Sequence, residues 1–503
     1  MKTLLGDRLR WHVDGAGLRP FDAVSLRQVL GAPSVCEFDG LEPVEPARML
    51  GAQSHLQLGF GDLHAGEVVR VEVRGDRVAC VALGPLARLS RAPRQRRLPP
   101  MTVRQLVATL AQEHGLAVDA GDLPDTQARG ICQEYETDLQ LLRRLAVQYG
   151  FLFWESASGL VCRSRIDATE VLPLAPGTLV EAPRVTYHAR AVAGEARLLC
   201  ARDGTVPVVH GPAAGALDRR PEPAAFRVPH VEEVGEAQQF LARAARAEVG
   251  SNCRVQAVVL DPRVVVGAVV TLPPGSGVDE PLLVVEASHE VANRHVVRMV
   301  AVPAAAAAPA PAPAHPQCVG VALAQVLEVE DPERRGRVRI QRCDAAGDGE
   351  AAWAMVVQAA AGADHGSFCM PRIGDLVVVS FLGGDPHQPL VTGSVYHGAH
   401  PQPGAEEQAG RHQRFLRTPG GTEVRCEQAD DGDTLVVVLQ GLTVKLRGGS
   451  RPQLDILGQA DVSISAASLR LEAEGNVDIQ GGTVAIQARD QVEVEAPRIL
   501  LGK

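Results

Sequence analysis

From Leu454 onward the chain repeats one small unit: two apolar residues flanking a single intervening residue. The pairs are Leu454/Ile456, Val462/Ile464, Leu469/Leu471, Val477/Ile479, Val484/Ile486, Val492/Val494 and Ile499/Leu501. Their starts lie 8, 7, 8, 7, 8 and 7 residues apart. Each unit reads as a very short strand with two inward side chains, then a corner carrying Gly, Ala or a polar residue. That is an internal repeat of the solenoid kind. Two inward residues per strand bury little, so a single chain wound this way would be a thin, marginal ribbon. Three chains about one axis solve the problem, because each supplies one strand per layer and the pairs share one continuous core. The paired residues are thus the expected trimer core. Seven layers spaced ~4.8 Å apart would give a rod roughly 35 Å long. The final strand, Ile499-Leu500-Leu501, is followed only by Gly502 and Lys503. Its layer would have no further layer to pair with, so Ile499, Leu500 and Leu501 are the expected docking point for a separate tip protein.

The rest of the 503 residues exceeds what one core can organise and suggests three or four domains. Only 3% of the chain is aromatic, so its cores must be built from Val, Leu, Ala and Ile, which suits sheets. The expected class is mainly β with a few helices. A formal net charge of −10 argues against general binding to nucleic acid or to anionic membranes, which need a positive field. The basic run at Arg91, Arg94, Arg96 and Arg97 sits among prolines and reads as a solvated loop. Ten cysteines are scattered without a C-x-x-C pair, as expected of mostly free, buried thiols made in a reducing cytoplasm. The apolar run at Leu4-Leu5 is too short for a signal peptide, and no stretch approaches the ~18 apolar residues of a membrane span.

Boundaries follow composition. An Ala/Pro segment at 301–317 reads as an extended, semi-rigid linker, and a weaker break falls at His400–Gly410. Before the linker, Thr102 with Gln105 forms a capping box ahead of Val103, Leu106, Val107 and Leu110, with Gly115 as the stop. A second helix starts at Thr137-Asp138, buries Leu139, Leu142, Leu145 and Ala146, and stops at Gly150. A strand follows at 151–154, a third helix spans about Glu233 to Val249, and strands are expected at Val264–Leu272 and Leu282–Ala287. Between 318 and 400 five short strands suit a small closed barrel of the OB type: Val319–Glu330, Arg337–Arg342, Trp353–Ala359, Leu376–Leu382 and Leu390–Tyr396.

The segment 368–396 strongly resembles the barrel signature of the VgrG family, the spikes of type VI secretion systems, which are similar to contractile phage tail hubs and needles and to the spikes of extracellular injection particles. Pro371-Arg372-Ile373-Gly374-Asp375 precedes a strand, Gly384-Asp385-Pro386 makes a turn, and Thr392-Gly393-Ser394-Val395-Tyr396 closes the barrel. Gly336–Ile340 and Trp353–Val357 resemble its earlier strands. Tyr135-Glu136-Thr137-Asp138, with Leu142, Leu145 and Gly150, looks like the hub motif of the same family, and Val269–Leu272 and Leu283–Ser288 look like its closing strands. The segment Arg411–Gln440 matches only loosely, and no lysozyme or C-terminal toxin domain is recognisable.

The resemblance implies a phage-hub-like domain at 1–300 with two barrels and a helical insert, the linker, an OB barrel at 318–400, a needle base at 401–453 and an intertwined three-chain β-helix or β-prism at 454–503. It implies a homotrimer that seats on a ring of Hcp-like tube protein, contacts baseplate proteins, carries a PAAR-like tip and effector cargo, and crosses a target membrane only by mechanical penetration. Such a protein is made in the cytoplasm, assembled and ejected. Neither a cofactor nor an enzymatic activity is implied. The alternative reading is a cell-wall or polysaccharide-active enzyme with a β-helical stalk.

Chemistry-bearing residues support no catalytic template. His397 and His400, with His387 and His412 nearby, lack a Cys or carboxylate at ligand spacing and read as loop histidines. His289-Glu290 and His295 lack the helical i, i+4 spacing of a zincin. Asp430, Asp431 and Asp433 read as a turn. Gly383 and Gly384 are explained by turn geometry and not by phosphate binding. An oligonucleotide-binding barrel would need basic and aromatic residues on its exposed face, and the barrel strands are poor in both.

Overall fold

A computed structural model describes residues 9–500 except 14–16, 19–21, 42–45, 59–60, 124, 126, 129–130, 158, 189–190, 198–207, 216–221, 226–233, 251, 293, 310–319, 345–350, 385, 403–412, 429 and 460. Its architecture is mainly β. One unit comprises residues 1–397 and a second 398–503.

In the first unit a 13-stranded sheet spans the region expected to form the hub, and that region is called the hub below. The strands alternate buried and exposed side chains, as in Arg77–Leu83 and Cys253–Val259, so each has one face for a core. Two cores form on this sheet. The N-terminal one gathers Trp11, Leu26, Phe38, Leu56 and Val78, with Trp11 stacked on Phe38 at 4.1 Å between ring centroids. The other gathers Val255, Val259, Val270, Leu282 and Val297. The two lobes are joined where Leu282–Val291 pairs antiparallel with Ala23–Val29.

Between the lobes lies the helical insert, with its own core of Leu86, Leu106, Leu110, Leu142, Leu145 and Phe151. The expected capping box is formed and the structure adds a second: Thr102 accepts from the Gln105 N–H, Thr137 from the Gln140 N–H, and each glutamine side chain reciprocates. The helices run Val103–Glu113 and Asp138–Tyr149. The second ends on Gly150 at φ +72, a left-handed position where a Cβ would also strike the Arg243 side chain. The third helix runs Val234–Gly250.

Three expectations are corrected here. The Ala/Pro segment does not begin as linker at 301, because the strand His295–Pro303 continues through it, with Ala301 and Ala304 buried. Ala-Val-Pro can extend a strand when its side chains find a core. The expected strand Val264–Leu272 is formed only at Val269–Thr271; Val264, Val266 and Leu272 are buried from outside the strand. The run Arg91–Arg97 is not a solvated loop. Pro93–Leu98 is a strand paired with Ile131–Thr137, and its Arg94 and Arg96 meet the buried Asp138.

The barrel is closed by Ala322–Glu328, Arg337–Arg342, Ala352–Val356, Pro389–Ser394 and Leu376–Phe381, in that spatial order. Its core is Ala324, Val326, Val338, Ile340, Ala354, Val377, Val379 and Val391. Eight cysteines lie among the described residues; five are buried, while Cys343, Cys369 and Cys426 are exposed. Cys200 and Cys318 fall outside them.

The second unit opens with a five-stranded antiparallel sheet, Gln413–Arg417, Glu423–Glu427, Thr434–Leu439, Leu442–Arg447 and Gln453–Gly458. The first apolar pair, Leu454/Ile456, belongs to this sheet's last strand. The base therefore runs past 453, because Leu454 and Ile456 register against Leu446 and Val444.

Candidate functional site

The hub motif centres on Asp138, the first residue of its helix and 1% exposed. Its carboxylate accepts from Gln133 Nε2 at 2.7 Å, from Arg96 Nη2 at 3.0 Å and from the His114 ring at 2.6 Å, with Arg94 Nη1 3.4 Å away. Burial alone would raise its pKa. The bonds from His114 and Gln133 and the charges of Arg96 and Arg94 outweigh that, and the carboxyl is held below its ordinary value. Glu113 completes the cluster by binding Arg94 at 2.5 Å and Arg96 at 2.8 Å. Glu113, His114 and Asp138 could offer three ligand atoms to a metal within 4.8 Å of one another. Two guanidiniums already hold those oxygens, so the cluster is a structural ion-pair knot.

The other titratable candidates separate. Strand alternation puts His289 in the core, its Nδ1 3.0 Å from His295 Nε2, while Glu290 faces outward and binds Arg298 at 3.1 Å. No zincin constellation can form from residues on opposite faces. His387 meets Cys132 in the hub, whereas His400 is exposed and His412 lies outside the described residues. Asp430 and Asp431 sit in a turn, where Asp431 accepts from Ser450 Oγ at 2.9 Å. Gly384 has φ +75 at the end of a short 3-10 turn, and Asp385 lies outside the described residues.

Barrel arginines are already matched with acids: Arg337 with Asp331 at 2.8 Å, Arg339 with Glu328 at 3.4 Å, and Arg342 with Glu134 at 2.7 Å. They do not form an open phosphate track. A cavity of about 420 Å³ on the hub sheet is lined by Glu181 and Glu286 but also by Arg27, Arg184 and Arg298, and Glu286 binds Arg254 at 3.1 Å. This is an arginine-rich groove and a poor setting for a glycosidase acid pair.

The sequence reading missed the two-faced sheet of the second unit. Register places Leu416, Val424, Val437, Val444 and Ile456 in one row across all five strands, with Arg414, Cys426, Leu435, Leu446 and Leu454 in the next row on the same face, apolar but for Arg414 at its edge. The opposite face carries Arg417, Glu423, Arg425, Lys445, Arg447 and Asp455, with Glu423 bound by Arg417 and Arg425. The apolar face is open in the single chain: Leu416 is 70% and Leu454 59% exposed. Alternation in Glu423–Glu427 and Leu442–Arg447 was the available signal.

Beyond this sheet the repeat continues without intrachain strand pairing. Among the described residues, 461–500 make no backbone hydrogen bond within the chain. Bends fall at Ala467, Glu474-Gly475, Gly482, Arg489-Asp490 and Pro497, in step with the apolar pairs. Val462, Ile464, Leu469, Leu471, Val477, Ile479, Val484, Ile486, Val492, Val494, Ile499 and Leu500 are all at least half exposed. Leu501 lies outside the described residues.

Residues 322–396 match the type VI secretion system/phage-baseplate injector OB domain. The barrel strands Ala322–Ser394 thus fall within one match to an injector OB domain. A curated relative, the type VI secretion system spike protein VgrG4b of Pseudomonas aeruginosa, is 40% identical over 118 residues, 22% of this chain and 14% of the relative. These matches show that this stretch of the chain is similar to VgrG spike proteins. The chain spans only about a seventh of that relative's length in the match. The fold is similar to that of the E. coli c3393 protein, a type VI secretion component described as structurally similar to the T4 tail proteins gp27 and gp5. There the TM-score is 0.54 at 15% identity, over 76% of this chain and 99% of that one. It is also similar to a chain of the Francisella PdpA–VgrG complex, with TM-score 0.58 at 7% identity over 90% of this chain and 88% of that one.

Proposed function

We propose that the chain is one protomer of the trimeric hub and spike of a contractile injection system. The observation that carries this reading is the segment 461–500: evenly bent, apolar on a repeating pair, and without backbone partners of its own. Extended backbone and exposed aliphatic pairs both call for neighbouring strands, and three chains about an axis supply them in each layer. The apolar face of the five-stranded sheet runs into the same pairs through Leu454 and Ile456, so one axial core would serve base and needle together.

In this reading the hub seats on a ring of Hcp-like tube protein within the baseplate. The barrel connects hub to needle. The needle transmits the thrust and opens the target envelope, with a PAAR-like tip docked near Ile499, Leu500 and Leu501 and effectors carried as cargo. The protein is assembled in the cytoplasm and then ejected. No catalytic step is assigned; the work is mechanical, and it needs stiffness from backbone bonds made between chains.

The mass of the full-length protein by sedimentation equilibrium tests the reading. A mass three times that of the 53.3 kDa chain is expected. A stable, folded monomer at micromolar concentration would remove its basis.

A further inference from the structure

The strand Ile131–Thr137 belongs to a two-stranded sheet, paired along one edge with Pro93–Leu98. Its other edge meets the barrel. The Cys132 N–H donates to Nε2 of His387 at 3.2 Å, and the Cys132 Sγ lies 3.7 Å from Nδ1 of the same ring. Accepting through Nε2 requires a neutral imidazole. The Cys132 carbonyl accepts from Arg144 of the insert's second helix at 2.7 Å.

Two residues on, Glu134 Oε1 accepts from Arg342 Nη1 of the barrel at 2.7 Å. The rest of that guanidinium is fixed as well, by Asp344 at 2.8 and 3.0 Å and by the Phe381 ring, whose centroid is 5.2 Å away. A planar fork held on three sides is a stiff connector.

Glu134 and Glu136 would face the same side of a regular strand. A bulge between them breaks the alternation, with Tyr135 at φ +51. Glu136 then turns to Arg144 in the hub while Glu134 reaches the barrel. A bulky L residue adopts this left-handed conformation only against its own preference, and bulges of this kind re-aim side chains.

We propose that this bulged strand is a lock between hub and barrel: Arg342 and His387 are two of the barrel's attachments to it among the described residues, and the bulge at Tyr135 lets one strand grip both domains. The lock makes hub and barrel move as one body. It concerns the joint within one chain and stands apart from the spike reading.

Hydrogen exchange on the full-length protein tests it. Arg342→Gln and His387→Ala should each speed exchange in Ile131–Thr137 at least tenfold and leave the hub strand Leu282–Val291 unchanged. His387→Gln, whose amide oxygen can still accept, should restore slow exchange at Cys132. Combining Glu134→Gln with Arg342→Gln should loosen the strand no more than either change alone. Unchanged exchange in both Arg342→Gln and His387→Ala, or acceleration spread evenly through the hub, overturns the proposal.

Discussion

His64 Nδ1 lies 2.9 Å from Ser34 Oγ, and the same hydroxyl also reaches the carboxylate of Glu155. Ser34 has one proton to give. If it goes to Glu155, His64 must donate through Nδ1, which leaves Nε2 bare; that atom is buried without a partner among the described residues. The ring is therefore neutral, and burial drives its pKa down to about 4. Burial, with the neighbouring His295, likewise drives His289 down to about 3.

These two histidines make the hub acid-sensitive. Between pH 6.5 and about 4 the unfolded chain binds protons that the folded hub refuses, so stability is full above 6.5 and falls as pH drops through that window. Glu155 acts in the opposite sense: burial raises its pKa against the bonds from Ser34 and Leu86, so its contribution is lost as pH rises. Two histidines outweigh one glutamate, and calorimetry should show the melting temperature falling from pH 7 to pH 4. His64→Gln should flatten that slope by up to about 3 kcal/mol at pH 4. A melting temperature independent of pH across this range would contradict the assignment.

Val484→Asp should disrupt the assembly. It would bring three carboxylates towards one dry axis at several kcal/mol per charge. Asp478→Ala, on the residue between Val477 and Ile479, should leave the sedimentation profile and melting curve within about 0.5 kcal/mol of wild type. Equal behaviour of the two variants would mean that the inward positions are misassigned.

Cys426 shares the apolar face with Leu435 and Leu446 and is open in the single chain. In the assembly it should be sealed. Alkylation by N-ethylmaleimide, followed by mass spectrometry, should label Cys426 at least tenfold more slowly in the native protein than in denaturant. Equally rapid labelling in both would show that this face remains exposed to water.

Asp138→Asn should cost about 2–3 kcal/mol, read as a lower denaturant midpoint at unchanged slope. The change leaves Arg94 and Arg96 short of an acid while keeping the helix start almost isosteric. Thr137→Ala should cost about 1 kcal/mol through the lost cap. A larger loss from the cap than from the acid would mean that the ion-pair knot contributes little.

What could be read before the structure was mostly local. Thr102 and Gln105 are three residues apart, so their capping geometry is visible in a short window, and Thr137-Asp138 marks the second helix start as locally, although its box with Gln140 was not read. The barrel strands carry enough alternation and turn chemistry to be found singly. The role of Arg94 and Arg96 was not visible, because Glu113 and Asp138 lie 17 to 44 residues away along the chain. Proline neighbours made that run look like a loop, and tertiary pairing made it a strand. The sheet at 413–458 was obscured where Val436, Val437 and Val438 follow one another: Val436, on the charged face, is nearly buried, so the polar half of the alternation disappears.

If 461–500 forms the proposed needle, its even bends impose a counting rule on its length. A corner falls every seven or eight residues from Ala467 to Pro497, and each straight run carries one apolar pair. A single inserted residue would shift every later pair off the axis, whereas a whole unit would lengthen the rod by one strand spacing, ~4.8 Å, and leave the remainder in phase. The reach of such a spike can therefore change only in whole steps. Related needles of different length should differ by multiples of about seven or eight residues, as in a ruler that can be cut only at its marks.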